Sequence, residues 1–323
     1  MKQENPKLVI GFIAYGRLTG KYLPYFLPSL ESQTFTDFKV VILDNSENRE
    51  NQNKKYLHDH HSNLDIEYHF VGENIGFAGA YNKIIKKAFA LGAKYLLVVN
   101  PDVILDAKTI QRMVDTLDKD GKLGSVSPKI LKWDFPDNAK TTSIDSFGIK
   151  LMPGLRFVDI GQGEIDQGQF DEVEILGPSG ACGMFRMKAL KKIKECENYY
   201  DESMFMYKED CDLAYRLKLA GYKSRLVRRA IAYHDRTVQG KGEGIFGLIS
   251  ARMGKSNQSV KWSFLHQQII YCKYWRLLDA KNKLILIWHQ IRLLGYMILF
   301  ERYLFLELPK LHRLCKKTKT YMQ

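Results

Sequence analysis

Three short runs of this 323-residue chain put carboxylates where they could do chemistry. Val40-Val41-Ile42-Leu43 delivers Asp44-Asn45-Ser46, and Tyr95-Leu96-Leu97-Val98-Val99 delivers Asn100-Pro101-Asp102. Glu209-Asp210 open a helical repeat that carries Leu213, Leu217 and Ala220 at i, i+4 and i+7, with Gly221 at the C′ place. A carboxylate just past an apolar strand can hold a divalent cation against a diphosphate, because hard cations prefer oxygen ligands and Mg²⁺ is commonly held by one or two carboxylates plus phosphate oxygens. An aspartate there equally caps a turn. An acidic pair at a helix start can supply a general base. Its plainer role is to stabilise the helix, where an anion gains about 0.3–1 kcal/mol from the macrodipole.

Those residues need elements to hold them. Apolar runs at 8–14, 38–43, 66–70 and 95–99 alternate with helical patterns at 22–33 and 78–91, which predicts a βαβ-built, largely parallel sheet. In such sheets ligands bind outside the carboxyl ends of the strands. There the chain places Asp44, Asp102 and the glycine-containing turn Gly72-Glu73-Asn74-Ile75-Gly76-Phe77-Ala78-Gly79, which feeds a helix with amides free to face polar ligand atoms. No GxGxxG or GxxxxGK[ST] loop occurs, which removes the main support for dehydrogenase, kinase and ATPase readings. The run Pro178-Ser179-Gly180-Ala181 is small enough for close backbone approach, and the stretch 134–175 reads as irregular loops over the rim.

Composition is that of a globular protein, 45% hydrophobic and 26% charged. The net charge of +13 is uneven: residues 252–323 hold 14 Lys/Arg against 3 Asp/Glu. The remainder is nearly neutral, which argues against a nucleic-acid surface and moves any anionic partner to the C-terminal region. The five scattered cysteines, without a CxxC pair, read as reduced thiols of a cytosolic protein.

The ordered set VVILDNS, GENIGFAGAYN, VVNPDV, PSGACGMFR and FMYKEDCDLAYRLKLAGY followed by AIAYHD resembles the inverting glycosyltransferases of family 2, and among them the rhamnosyltransferase-like enzymes of bacterial surface polysaccharides. The resemblance covers residues 8 to about 235 and implies a GT-A fold for a catalytic domain of residues 1–235, followed by a helical region at 236–323. It implies that Asp44 reads a pyrimidine base beside the backbone of Ala14 and Tyr15. Asn74 and Gly76 would lie along the nucleotide, with Gly180 under the sugar. Asp102 would bind Mg²⁺ or Mn²⁺ and the diphosphate, with Asn100 where relatives carry the first carboxylate of an Asp-x-Asp ending. Asp210 would be the catalytic base, supported by Glu209, and His234 would add an imidazole to the metal; a lone histidine is as readily structural. Arg186 would neutralise phosphate or pair with a carboxylate. The implied reaction moves a sugar from a UDP- or dTDP-sugar, dTDP-L-rhamnose among them, to a glycan or lipid-linked saccharide in cell-surface polysaccharide or cell-wall synthesis.

Beyond residue 252, long helical stretches mix Trp262, Trp275 and Trp288 with Lys and Arg, and His289, Gln290, Arg292, Glu301 and Arg302 interrupt the apolar run 284–308. This pattern suits a basic amphipathic surface lying on the inner face of the cell membrane, against the plainer reading of helices packed on the protein. A processive synthase would need spanning helices and a QxxRW motif, and a nucleotidyltransferase a glycine-rich basic loop that GFIAYGRLTGK matches in part. A non-catalytic nucleotide-sugar-binding scaffold on the same fold is the alternative from another class.

Overall fold

Strands buried on both faces read as continuous apolar runs, and these runs fold into one sheet. The structure, a computed structural model, describes residues 5–60, 63–236 and 256–318. The first half of the sheet comprises β1 (Leu8–Ala14), β2 (Phe38–Asp44), β3 (Ile66–Phe70) and β4 (Tyr95–Val99). The second comprises β5 (Val103–Leu105), β6 (Leu123–Asp134), β7 (Ala139–Ser146), β10 (Glu174–Ile175), β11 (Cys182–Arg186) and β12 (Lys223–His234), while β8 (Ile149–Met152) and β9 (Arg156–Asp159) pair separately. Its order is β10-β12-β6-β11-β4-β1-β2-β3.

From β4 to β3 every pairing is parallel, as the alternating elements predict. Within this largely parallel sheet β11 runs antiparallel between β4 and β6. An apolar strand buried on both sides carries no periodicity that reports its direction. The stretch 134–175 is not irregular: it holds β7, β8, β9 and β10.

Side chains alternate between two cores. Leu8, Ile10, Phe12 and Ala14 pack with α2 (Leu23–Glu31) and α5 (Thr109–Lys119); Val9, Val41, Leu43, Leu96 and Val98 pack with α4 (Gly76–Ala90), α6 (Met187–Lys192) and α7 (Glu209–Leu219). Two further helices, α1 (Gly16–Gly20) and α3 (Gln52–Asp59), flank the ends of β1 and β2.

The C-terminal helices are α8 (Asn257–Tyr274), α9 (Ala280–Phe300) and α10 (Leu308–Thr318). Ile269, Ile270, Tyr271 and Tyr274 of α8 share a core with Met204, Cys211, Ala214 and Tyr215, so α8 packs directly on the base of α7. By contrast α9 buries Leu286 and Met297 and exposes Leu284, Ile287, Trp288, Ile291, Leu294 and Ile298. By length and composition α9 suffices to cross a bilayer, contrary to the reading of its interrupted run, because isolated polar residues barely lower the average over 21 residues. The expectation of five reduced thiols is also corrected. Cys272 and Cys315 are joined, because α8 and α10 bring their Cα atoms to 5.8 Å, a distance a disulfide spans, across 43 residues of sequence. Cys182, Cys196 and Cys211 are free.

Candidate active site

The carboxyl ends of β1, β2 and β4 form the rim. Asn45 N–H donates to the Ala14 carbonyl at 2.9 Å and Gly16 N–H to Ser46 Oγ at 2.9 Å, which knits the ends of β1 and β2 together. Tyr15 projects beside them, 37% exposed. Asp44 is fully buried: Oδ1 accepts from Ser46 N–H at 2.9 Å, and Oδ2 from Asn51 Nδ2 at 2.8 Å and from the Tyr68 hydroxyl. Burial first and the Asp44 carboxylate second hold the Tyr68 phenol above its ordinary range.

The turn after β3 is built around one glycine. Gly76 has φ +73°, donates its N–H to Asn74 Oδ1 at 3.0 Å and accepts from Asn45 Nδ2 at 3.1 Å. A Cβ at this place would lie 2.5 Å from the Phe205 carbonyl oxygen, so both conformation and space require glycine. The same carbonyl accepts from Phe77 N–H at 2.8 Å, joining the start of α4 to the segment before α7.

Beyond β4, Asn100 N–H donates to the Ala181 carbonyl at 2.9 Å and Asp102 follows. Asp102 Oδ2 lies 3.4 Å from His234 Nε2, while Oδ1 is buried with no hydrogen-bond partner among the described residues. His234 ends β12, and its Nδ1 lies 2.9 Å from Asp145 Oδ2; Arg236 pairs with Asp145 at 3.2 Å and with Asp159 at 3.1 Å. Burial opposes charging of the imidazole, yet Asp102 and Asp145 together raise it to about 10. Two carboxylates thus demand a positive charge that a proton here supplies. A divalent cation would meet the same demand at Asp102 and His234, with Asp145 fixing the ring as carboxylates behind metal-bound histidines do. No group of three or more His, Cys, Asp or Glu side chains among the described residues is arranged to hold a metal ion by itself, so most positions about such a cation would fall to ligand and water oxygens.

The acidic pair divides. Glu209 is buried, and desolvation together with the Asp210 charge pushes its carboxyl well above the usual range; Oε2 has no partner among the described residues. Asp210 is half-buried and accepts from Gly180 N–H at 2.9 Å. A Cβ on Gly180 would lie 3.4 Å from Asp210 Oδ2 and 3.6 Å from the Phe77 ring, so the small run 178–181 brings the starts of α4 and α7 to one place. Because Ala181 also holds Asn100, this run links Asp210 to the Asp102 strand end.

Other expected residues lie elsewhere. Arg186 donates to the carbonyls of Leu117, Asp120 and Leu123 at 2.6–2.9 Å, far from the rim, because antiparallel β11 sets it opposite Tyr95 at the start of β4. Asp212 turns away from the cleft into α8. Asp145, Asp159 and Arg236 join the site without having been singled out in the sequence. So does Tyr22, whose hydroxyl donates to Asp235 at 2.6 Å while Asp235 N–H holds the Asp102 carbonyl at 3.1 Å. Asn82, inside the GENIGFAGAYN motif, meets all four of its hydrogen-bonding needs with residues 199–202, a role for which only its place in the motif was a signal. A groove of about 620 Å³ lined by Arg112, Lys119, Lys223 and Arg229 opens at the opposite end of β12 and takes no part in the rim.

The chain is similar to known proteins in sequence and in fold. The family model "Glycosyl transferase family 2" matches residues 10–194. A low-salt glycan biosynthesis hexosyltransferase, Agl10 of Haloferax volcanii, is 27% identical over 184 residues, 56% of this chain and 53% of the relative, so the chain spans about half the length of the curated relative it matches. Among solved structures, S. aureus TarS 1–349 in complex with UDP superposes with a TM-score of 0.55 at 16% identity, covering 92% of this chain and 73% of that one. GalNAc-T7 with UDP, GalNAc and Mn²⁺ gives 0.56 at 11% identity, covering 93% and 57%. The mannosyltransferase PcManGT of Pyrobaculum calidifontis in complex with GDP-Man and Mn²⁺ gives 0.51 at 12% identity, covering 98% and 86%. At such identities these likenesses show the fold, which is GT-A. With more than half its length matched by the family model, the chain belongs to glycosyl transferase family 2.

Proposed function

We propose that the chain is an inverting glycosyltransferase. It moves a hexosyl or rhamnosyl group from a UDP- or dTDP-sugar to a glycan or lipid-linked saccharide of the cell surface, with residues 1–235 as its catalytic domain. The observation that carries the reading is Asp210, which accepts from Gly180 N–H in the short run that also meets Phe77 at the start of α4 and, through Ala181, Asn100. Asp210 takes the proton of the acceptor hydroxyl while that oxygen attacks the anomeric carbon in line with the departing diphosphate, which inverts its configuration. Burial and the Asp210 charge raise the Glu209 carboxyl well above its usual range, which leaves Asp210 as the member of the pair that accepts the proton. Asp102 and His234 would hold Mg²⁺ or Mn²⁺, which would stabilise the charge on the leaving diphosphate. Ala14, Tyr15 and Asp44 line the base end, while Asn74, Gly76, Asn100 and Gly180 line the path to the sugar. UDP and Mn²⁺ in the GalNAc-T7 structure, and UDP in that of TarS, support the donor class and the metal.

The acceptor side faces a membrane in this reading. The exposed stripe of α9 recurs every three to four residues, with Lys281 and Arg292 on one flank and Lys283 on the other by helical spacing. Since the opposite face of α9 packs through Leu286 and Met297, the helix lies along the inner leaflet of the cell membrane as a peripheral anchor.

Calorimetric titration with UDP, dTDP, GDP and CMP, each with and without Mn²⁺ or Mg²⁺, tests the donor site. Metal-dependent binding of UDP or dTDP alone is expected, and absence of all nucleotide binding overturns the reading. Sedimentation with phosphatidylglycerol vesicles tests the anchor, which fails if the chain stays in solution.

A further inference from the structure

The segment from 201 to 208, which leads into Glu209-Asp210, has an unusual backbone. Tyr207 and Lys208 both adopt left-handed conformations, φ +71° and +74°, which disfavour side-chain-bearing residues and persist only where surrounding contacts over-determine them. The contacts that do so come largely from one face of α8, outside the span matched by the family model. Trp262 packs on the Phe205 ring with centroids 5.0 Å apart. One turn on, His266 Nδ1 lies 2.9 Å from the Tyr207 carbonyl, a bond that places the imidazole proton on Nδ1. Two turns further, Lys273 Nζ reaches Asp201 at 3.1 Å and Asp212 at 2.9 Å, and Tyr274 OH donates to Asp212 at 2.7 Å. Positions 262, 266, 273 and 274 recur at helical spacing, so a single rigid face grips the segment before Asp210 and the helix turn after it.

We propose that Lys273, with Tyr274 and His266, is a positioning residue for catalysis: through Asp201 and Asp212 it clamps both sides of Glu209-Asp210 and thereby fixes where the Asp210 carboxylate points. The inference rests on Asp210 being the base. Lys273 touches no part of the cleft, and its ammonium is almost wholly enclosed by carboxylates of 195–212. Its partners all belong to the segment that carries the base, and none belongs to the sheet that carries the nucleotide end. Loss of the clamp should therefore leave donor binding intact. It lets Tyr207 and Lys208 relax towards ordinary backbone angles, which turns Asp210 off the line of attack.

The test compares the full-length wild type with Lys273→Met, Lys273→Arg and Tyr274→Phe. Hydrogen exchange at amides 203–212 should rise in Lys273→Met while β2 and β4 keep their protection, and the Kd for UDP with Mn²⁺ should stay within about twofold. Turnover of whichever UDP- or dTDP-sugar the wild type uses should fall about 10²-fold in kcat with KM unchanged, the scale of a misplaced reacting group. Lys273→Arg should recover most of it. Tyr274→Phe removes one hydroxyl, folds even if Lys273→Met does not, and should lower kcat about fivefold, the scale of one hydrogen bond. Unchanged exchange at 203–212, unchanged kcat, or loss of protection throughout β2 and β4 overturns the positioning role. If the wild type turns over no nucleotide sugar, the glycosyltransferase reading fails, while the exchange and UDP measurements still judge the clamp.

Discussion

Two buried charge clusters flank the cleft, and they differ in completeness. Around Asp212, every charge has its answer: Arg216 Nε at 2.8 Å, Lys273 at 2.9 Å and Tyr274 OH at 2.7 Å. Around Asp102, His234 and Asp145, one buried carboxylate oxygen is left without a partner and the imidazole is held cationic by its neighbours. Burying an unpaired polar atom costs about 1–3 kcal/mol, so the proposed metal site carries a cost that a bound ligand would offset, whereas the closed cluster carries none. In the proposed reading the difference separates groups that hold the fold from groups that face chemistry, although both sets are Asp-rich.

That contrast can be broken at several places. The largest effect is expected for Asp210→Asn, which should lower transfer by about 10³-fold, within the usual range for a general base, while UDP binding stays within twofold. Wild-type transfer by this variant removes Asp210 from the role. Next, Asp212→Asn should cost about 3–5 kcal/mol in thermal or urea unfolding, because it strips one partner from buried charges, and it should leave metal-dependent UDP binding intact. The Asp212 carboxyl is fully desolvated, and Lys273 and Arg216 hold it below its ordinary range. Its stabilisation is therefore present above the unfolded value of about 4 and is lost as pH falls below it. Acid unfolding profiles of wild type and Asp212→Asn should converge at low pH, and parallel profiles would show that Asp212 is not the group involved.

The open cluster should answer in the opposite sense. Asp102→Ala should weaken Mn²⁺-dependent UDP binding by about 10²-fold, and Asp145→Asn, which reaches the site only through His234 and Arg236, by about 10-fold. Asp102→Ala should not cost the stability that Asp212→Asn does, and a large loss of melting temperature in Asp102→Ala would erase the distinction between the clusters. The smallest effect concerns Glu209. Its folded-state carboxyl is raised, so its contribution falls as pH rises past the unfolded value near 4.3. Glu209→Gln should equal or exceed wild-type stability at pH 8, by about 1 kcal/mol, and an unstable variant would place a needed charge there.

Much of the rim was legible because its residues stand where local rules put them. Asp44 and Asp102 follow apolar runs, Gly76 marks a left-handed turn, and Asp210 opens a patterned helix. The remainder depends on partners distant in sequence. Asp145 meets His234 across 89 residues and Tyr22 meets Asp235 across 213, and nothing in either local run announces such a pairing. Arg186 misled for a related reason: the residue type suits phosphate, but strand direction carried it to the wrong end of the sheet. Within α7 the acidic residues part company: Glu209 is buried with its carboxyl raised, Asp210 accepts from Gly180 N–H and Asp212 closes an ion pair with Lys273, a division set by how the helix is rotated against α8.

The left-handed pair Tyr207-Lys208 carries a lesson for engineering. Glycine at either position would relieve backbone strain of about 1–2 kcal/mol while widening the angles the chain can visit. A screen that ranks variants of this protein by heat resistance alone would thus favour changes that leave Asp210 less sharply aimed, and would enrich for tougher, slower enzymes.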